Sequence, residues 1–348
     1  MNLHIRPGAR VRLLSTAVAM PMDLAPLGER GMVLDNDAVH EQVLGPQWRT
    51  HPRAIVAPLD EPTVRTRQWV REATALDLAT EAARRALQAA SMPASDLAAI
   101  LCVTSTPPII SAAMAARIGR ALGCGQELDN ASGFDIRAGG VGVMMAWFTA
   151  QGLIAQGSGP VLIVAAEAAS SFLMPGDIGS ALLYADGAGA CILAHGDSDA
   201  ETFMGGMSGQ VALHGRPTTI PGLLPPHGDL MDYRYQRPDR AHLQELLHLW
   251  DRFPRVLASA FPRACQQLRH FLPYAVSTRQ MDTARQALGQ PKARVFHELA
   301  RHGCVGAASP LVALHGLRAS GQAHPGAVIA LASAAGNGLW AGFFWRLG

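Results

Sequence analysis

Apolar and polar positions change period along this chain so as to predict strands alternating with helices. Val11 to Ala19 is an apolar run broken by Arg12 and Ser15 and stopped before Pro21, which predicts a first strand rather than a leader segment. Met22 to Val70, rich in Pro, Asp and Arg, is expected to form surface loops with short helices over an entrance. From about Thr74 to Ala90 the apolar residues Leu76, Ala79, Ala83, Ala86 and Leu87 share one helical face and Arg84, Arg85 and Gln88 the opposite one. That spacing predicts an amphipathic helix lying on a sheet. Ala99 to Thr104 reads as a buried strand, Ala112 to Leu122 as a helix, and Phe134-Asp135-Ile136 as a strand entering a glycine turn. The alternation points to a mainly parallel sheet with right-handed crossovers.

The stretch Val141 to Phe148 is apolar on nearly every helical face, so its helix must be buried all round, between two sheets. Gly189 to Ala194 predicts another strand, with Asp186-Gly187-Ala188-Gly189 as the tight turn before it. Because a strand and not a helix follows, that turn fails as a phosphate loop. His195 to about Arg240 reads as loop. Arg240 to Leu272 has a helical pattern that Pro254 and Pro262 should kink or divide, and a second αβ unit occupies Ser277 to Gly348.

Two segments look like copies. Gly139-Gly140-Val141-Gly142 leads through an apolar helical stretch to Gly157, Pro160 and Val161-Leu162-Ile163-Val164-Ala165. Gly303-Cys304-Val305-Gly306 leads through a similar stretch to Gly321, Pro325 and Val328-Ile329-Ala330-Leu331-Ala332. A turn, a helix and a strand repeated at nearly the same offset predict a duplicated α/β unit.

Composition narrows the function classes. The 348 residues carry a formal net charge of +2 and only 16% charged residues, which supplies no general electrostatic case for nucleic acid or an anionic membrane. No run approaches the roughly 18 uninterrupted apolar residues of a membrane span, so a cytoplasmic location is expected. The cysteines Cys102, Cys124, Cys191, Cys265 and Cys304 are scattered, without metal-ligand spacing, so neither a metal site nor a disulfide framework is expected. Cys102, Cys191 and Cys265 lie in apolar runs and read as small buried hydrophobes.

Val64-Arg65-Thr66-Arg67-Gln68-Trp69, Thr104-Ser105-Thr106-Pro107, Phe134-Asp135-Ile136, Ala165-Ala166-Glu167, Asp186-Gly187-Ala188-Gly189-Ala190 and Gly336-Asn337-Gly338-Leu339-Trp340-Ala341-Gly342 follow one another across nearly the whole chain. Together they resemble the ketosynthase III branch of the thiolase superfamily, which condenses acyl-thioesters with malonyl groups on acyl-carrier protein. The resemblance implies a five-layered αβαβα fold of two pseudo-symmetric halves, taken as residues 1–196 and 197–348. Its chemistry needs a cysteine thiolate at the start of the buried helix to take the acyl group. A histidine and an asparagine from the second half stabilise charge as carbon dioxide leaves.

Carried over by the resemblance, the cysteine position falls on Gly140. The histidine position falls on Tyr274 in Pro273-Tyr274-Ala275, and the asparagine position on Cys304 in the turn from Gly303 to Ser309. No cysteine lies between Cys124 and Cys191 to take over the nucleophile's place. Glycine cannot be acylated, and an unperturbed tyrosine, with a pKa of about 10, does not replace an imidazole near neutral pH. Ordinary condensing activity is therefore expected to be absent.

Cys304 stands on a glycine turn before a helix, where a dipole would lower its pKa, and with Tyr274 it is a candidate helper; the commoner readings of such residues are a small packing cysteine and a buried tyrosine satisfied by one hydrogen bond. His297 and His302, five residues apart, do not share a helical face and read as surface or supporting groups. By resemblance Arg65, Arg67 and Trp69 lie near the cofactor entrance, where an arginine could meet phosphate and an indole could stack on adenine; a solvated surface segment is the equal alternative. CoA or the acyl-carrier-protein phosphopantetheine would then be a substrate carrier, with no permanently bound cofactor. The leading expectation is a degenerate subunit in a heterodimer or heterotetramer with an active ketosynthase III paralogue, or a homodimer, in a fatty-acyl or polyketide-type secondary pathway. Acyl-carrier protein is a further expected partner. The alternatives are an acyltransferase or thioester hydrolase working without a cysteine acyl-enzyme, and acyl-thioester binding without turnover.

Overall fold

The computed structural model describes residues 2–6, 10–26, 29–46, 64–124, 131–196, 202–217, 234, 237–274 and 276–348. In chain order the strands are β1 (Leu3–Ile5), β2 (Val11–Ala19), β3 (Gly31–Asp35), β4 (Thr66–Val70), β5 (Ala99–Val103), β6 (Ser132–Ile136), β7 (Val161–Ala168), β8 (Asp186–His195), β9 (Thr202–Gln210), β10 (Leu268–Tyr274), β11 (Arg294–Val295), β12 (Val328–Ala334) and β13 (Leu339–Arg346). The helices are α1 (Asn36–Leu44), α2 (Ala75–Ala89), α3 (Met114–Ala121), α4 (Gly142–Ala155), α5 (Ile178–Leu183), α6 (Arg240–Ala260), α7 (Pro262–Gln266), α8 (Thr278–Ala287), α9 (Leu299–His302) and α10 (Ser309–Ala319).

Two sheets carry the architecture, one ordered β2-β8-β7-β5-β6 and the other β1-β9-β13-β12-β10-β11. The apolar α4 lies between them against β5, β7, β12 and β13, with α10 beside it on β2, β8 and β10. There Trp147 meets Phe343 at 5.0 Å and Trp345 at 5.1 Å between ring centroids. The amphipathic α2 and α3 cover the outer face of the first sheet, and α6 and α8 that of the second. The five layers αβαβα expected from the resemblance are therefore present.

Several local expectations are corrected. The sheets are mixed rather than mainly parallel: β5 runs parallel to β6 and β7, whereas β8 runs antiparallel to both β7 and β2. After β7 the chain turns back through the short α5 instead of crossing the sheet again. Asp186-Gly187-Ala188-Gly189 begins β8 itself, a central strand, and is not a turn. Within the segment read as loop after His195, β9 pairs with β13. Its glycines hide a strand from any propensity argument, because a Cβ on Gly206 would stand 2.7 Å from Phe343 Cβ and 2.9 Å from Phe148 Cε1. Parts of that loop expectation, over 197–201, 218–233 and 235–236, fall outside the described residues, as do the parts of the earlier one over 27–28 and 47–63. The described ends of that earlier segment are not irregular: β3 and β4 pair antiparallel, and α1 follows β3 directly.

Pro254 neither divides nor ends α6, which runs unbroken for 21 residues with Phe253, Pro254 and Leu257 on its buried face. Packing against β12 and β13 carries the helix past the missing hydrogen bond. Pro262 opens α7 at the first-turn position that tolerates it, and the chain from Leu268 is strand. At the other end of the chain, β1 leaves the first half and pairs with β9, Leu3 opposite Ser208.

The internal duplication is real in the backbone but shifted by three residues from its reading in the sequence. Gly139–Val141 and Gly306–Ala308 are matching 3-10 turns, with φ of 54° at Gly139 and 52° at Gly306. Val141 at (−77°, −17°) and Ala308 at (−77°, −18°) then pass into α4 and α10. Val161 lies 22 residues after Gly139, and Val328 lies 22 residues after Gly306. The counterpart of Gly140 is thus Ala307, not Cys304. The left-handed φ explains the glycine that marks each turn.

Candidate active site

Gly140 sits in the middle of its 3-10 turn, delivered by β6 to the start of α4 and buried there. Tyr274 ends β10 and is paired across the sheet with Ser333 of β12. These two elements bring the Tyr274 ring over Gly140. A Cβ built on Gly140 would fall against Cδ1 and Cε1 of that ring, closer than nonbonded carbons approach, and 2.9 Å from Ser333 Oγ. The tyrosine ring occupies the space into which any side chain at position 140 would project.

Cys304 completes the group. It follows Gly303, whose φ of 73° closes α9, and is laced to the first half: its amide donates to the Leu183 carbonyl at 2.9 Å and its carbonyl accepts from Ala185 at 3.0 Å. Its Sγ lies 3.7 Å from the Tyr274 hydroxyl. Gly140, Tyr274 and Cys304, distant in sequence, are therefore brought together.

The expected dipole effect on Cys304 is overturned. The residue is 1% exposed, and burial pushes its thiol pKa up. Hydrogen bonds from the Gly306 backbone and Tyr274 oppose the shift without cancelling it, while the Glu167 carboxylate adds to it. The thiol is neutral at pH 7 to 8 and is a weak nucleophile. All five cysteines are buried. Thiol reagents at pH 8 are accordingly expected to modify Cys304 only as the protein unfolds. Rapid stoichiometric labelling of the native protein that disappears in Cys304→Ala would contradict this placement.

Two further polar groups escaped the sequence reading as parts of the site. Ser333 is fully buried, and its hydroxyl has no hydrogen-bond partner among the described residues. Glu167, 1% exposed at the end of β7, accepts from the Thr106 hydroxyl at 2.6 Å, the Ser105 amide at 3.0 Å and the Ala307 amide at 3.4 Å. Burial raises its pKa, and those hydrogen bonds pull it back in part. A lone carboxylate in the apolar run Val161 to Ala168 was the available signal for Glu167. Nothing distinguished Ser333 in sequence.

Beside Tyr274 lies a cavity of about 20 Å³ lined by His297, Glu298, Gly303, Val305 and Ser309, among others. That volume holds about one water, not an acyl chain. His297 and His302 are partly buried rather than on the surface. Burial lowers the pKa of both, to about 4 for His302, so each is neutral at pH 7. Among the described residues the site thus places the Tyr274 and Ser333 hydroxyls and the Cys304 thiol, all possible hydrogen-bond donors, around Gly140.

The three residues expected at a cofactor entrance separate. Arg67 is fully buried, with its guanidinium donating to the Asp35 carbonyl and to Asn36 Oδ1. Burial, opposed by Asp35, lowers its pKa to about 10. Trp69 is 7% exposed and its indole donates to the Tyr184 carbonyl at 3.0 Å. Only Arg65 presents an exposed position. Among the described residues no three His, Cys, Asp or Glu side chains converge as metal ligands, and no helix is long and apolar enough to cross a membrane.

Comparison with known proteins gives this geometry its setting. Residues 134–208 match the family 3-oxoacyl-(acyl-carrier-protein) synthase III, and residues 263–347 match its C-terminal family. A beta-ketoacyl-(acyl-carrier-protein) synthase III from Hyphomonas neptunium is 27% identical over 307 residues, covering 83% of this chain and 93% of its own. An acetoacetyl CoA synthase from Streptomyces sp. strain CL190 is 28% identical over 298 residues, covering 80% and 86%. The crystal structure of 3-oxoacyl-(acyl carrier protein) synthase III from Pseudomonas aeruginosa PAO1 superposes with a TM-score of 0.82 at 22% identity, covering 97% of this chain and 98% of the other. Matches in both halves, relatives aligned over most of their length and a fold shared from end to end lead to one reading: the chain is similar throughout to the ketosynthase III branch of the thiolase superfamily.

Proposed function

We propose that this chain is a non-condensing ketosynthase III-like subunit that associates with an active ketosynthase paralogue in a fatty-acyl or polyketide-type secondary pathway. The observation that carries the reading is the Tyr274 ring seated where a side chain at position 140 would project. A position that had merely lost its cysteine would leave a gap. Here the gap is filled, and the neutral, buried Cys304 beside it offers no substitute thiolate. Such a chain keeps the fold's surfaces while shedding its chemistry, and would stabilise the partner or set which acyl chain the partner accepts. The outer edge of β6 with its exposed Phe134 is available to continue a sheet across a subunit interface and supports this role.

Co-expression with a neighbouring ketosynthase III that retains Cys, His and Asn tests the proposal. A stable hetero-oligomer whose acyl preference differs from that of the partner alone is the expected result. Recovery of homodimer only, with no effect on any such partner, would defeat it. The purified chain incubated with acyl-CoA is expected to release no free thiol. Steady release that is lost in Tyr274→Phe or Cys304→Ala would favour the acyltransferase or hydrolase reading instead.

A further inference from the structure

The far end of the second sheet carries a second feature, unrelated to the residues above. Around the start of β10, β11 and β12 a cleft of about 610 Å³ is lined by Arg269, His270, Lys292, Arg294, Gln322 and His324, with glycine, proline and alanine completing it. No carboxylate lines it. Arg269, Lys292, Arg294 and His324 are exposed, and none forms an ion pair with a described carboxylate. Lys292 is the sole lysine of the whole sequence. In a chain of net charge +2, this is a local concentration of uncompensated positive charge.

The cleft is also shaped in advance. A tight turn at its rim is closed by the Ala327 amide on the His324 carbonyl at 3.0 Å. It is pinned to the chain's end by Gly326 N to Leu347 O at 2.7 Å and Leu347 N to Ala327 O at 2.9 Å. His270 is 6% exposed, and its Nδ1 has no hydrogen-bond partner among the described residues. Burial holds its pKa below the ordinary histidine range, the Gln322 backbone opposes this, and Arg294 and His324 add to the lowering. The His270 ring thus forms a fixed part of the cleft wall.

We propose that this cleft binds a diphosphate-bearing small molecule, with Arg269 and Arg294 as forked donors, Lys292 as a point charge and the His270 ring as part of the wall. Arginine forks match phosphate oxygens in pairs, and the cluster holds more cationic side chains than a single phosphate group needs. The volume falls in the range of small-molecule sites. Tyr274 lies four residues further along β10, about 13 Å away at ordinary strand rise. The cleft is therefore separate from the candidate active site.

The single lysine makes the test direct. Reductive methylation with labelled formaldehyde keeps the charge and places an NMR probe on Lys292, with the α-amino signal as reference. Titration with inorganic pyrophosphate is expected to shift the Lys292 signal saturably, whereas sulfate at equal ionic strength shifts it far less. Arg269→Gln/Arg294→Gln should weaken the midpoint at least tenfold, and calorimetry on unlabelled Lys292→Gln should show a comparable loss. A pyrophosphate response no stronger than that of sulfate, or a midpoint unchanged in the double variant, would overturn the site.

Discussion

Gly140→Cys is expected to destabilise the protein by about 1–3 kcal/mol and to leave it unacylated by acyl-CoA. The start of α4 is otherwise a favourable place for a thiolate, since the helix dipole stabilises negative charge there. Space is what denies it. The new Cβ would collide with Cδ1 and Cε1 of Tyr274 and press on Ser333 Oγ at 2.9 Å. Tyr274 cannot retreat freely, because its strand is hydrogen-bonded to β12 and its hydroxyl abuts Cys304. Adding Tyr274→His should relieve the collision, so that the double variant is more stable than the sum of the single changes by about 0.5–3 kcal/mol. Denaturant midpoints measure the coupling, and intact mass after exposure to acyl-CoA measures acylation. A Gly140→Cys protein that unfolds at the parental midpoint, or that carries an acyl adduct, would show that the ring does not plug the site.

Glu167→Ala is expected to cost on the order of 3–5 kcal/mol, because it strands several buried donors and each unsatisfied one costs about 1–3 kcal/mol. The Glu167 carboxylate ties the turn after β5 to the 3-10 turn before α10, and so joins the two halves. Without it the Ser105 and Ala307 amides and the Thr106 hydroxyl lose their acceptor in a dry interior. Glu167→Gln retains the volume and one acceptor oxygen and should cost less. The pH dependence separates charge from shape. Folding makes this carboxyl hold its proton more tightly, so the folded state binds more protons than the unfolded state between the ordinary carboxyl range and the raised value. Its contribution to stability is therefore full at low pH and declines as pH rises through the raised pKa. The parental protein should lose ground to Glu167→Gln across that interval, and two parallel stability profiles would rule the account out.

Much of the fold was legible from local signals. The amphipathic spacing of α2 and the all-apolar face of α4 announced where each must lie, because a helix buries whatever apolar surface it carries. The failures share a cause. The strands β8 and β9 are rich in glycine, and glycine is placed there by the side chains packed across it, which a reading of one segment cannot see. The same holds for Pro254, carried inside α6 by its packing. The copied glycine turns were visible, yet their register was misjudged by three residues, since Gly139, Gly303 and Gly306 all look like turn markers and only backbone dihedrals pair Gly139 with Gly306.

At the site the division is similar. By itself the amino-acid sequence determined that position 140 has no side chain and that no cysteine stands between Cys124 and Cys191, because composition needs no geometry. Only the tertiary structure decided that Tyr274 fills the space beside Gly140, that burial outweighs any helix dipole at Cys304, and that Arg67 is spent on internal partners. Each of those outcomes depends on which distant elements meet and how much water they exclude, and neither quantity is carried by a local stretch of residues.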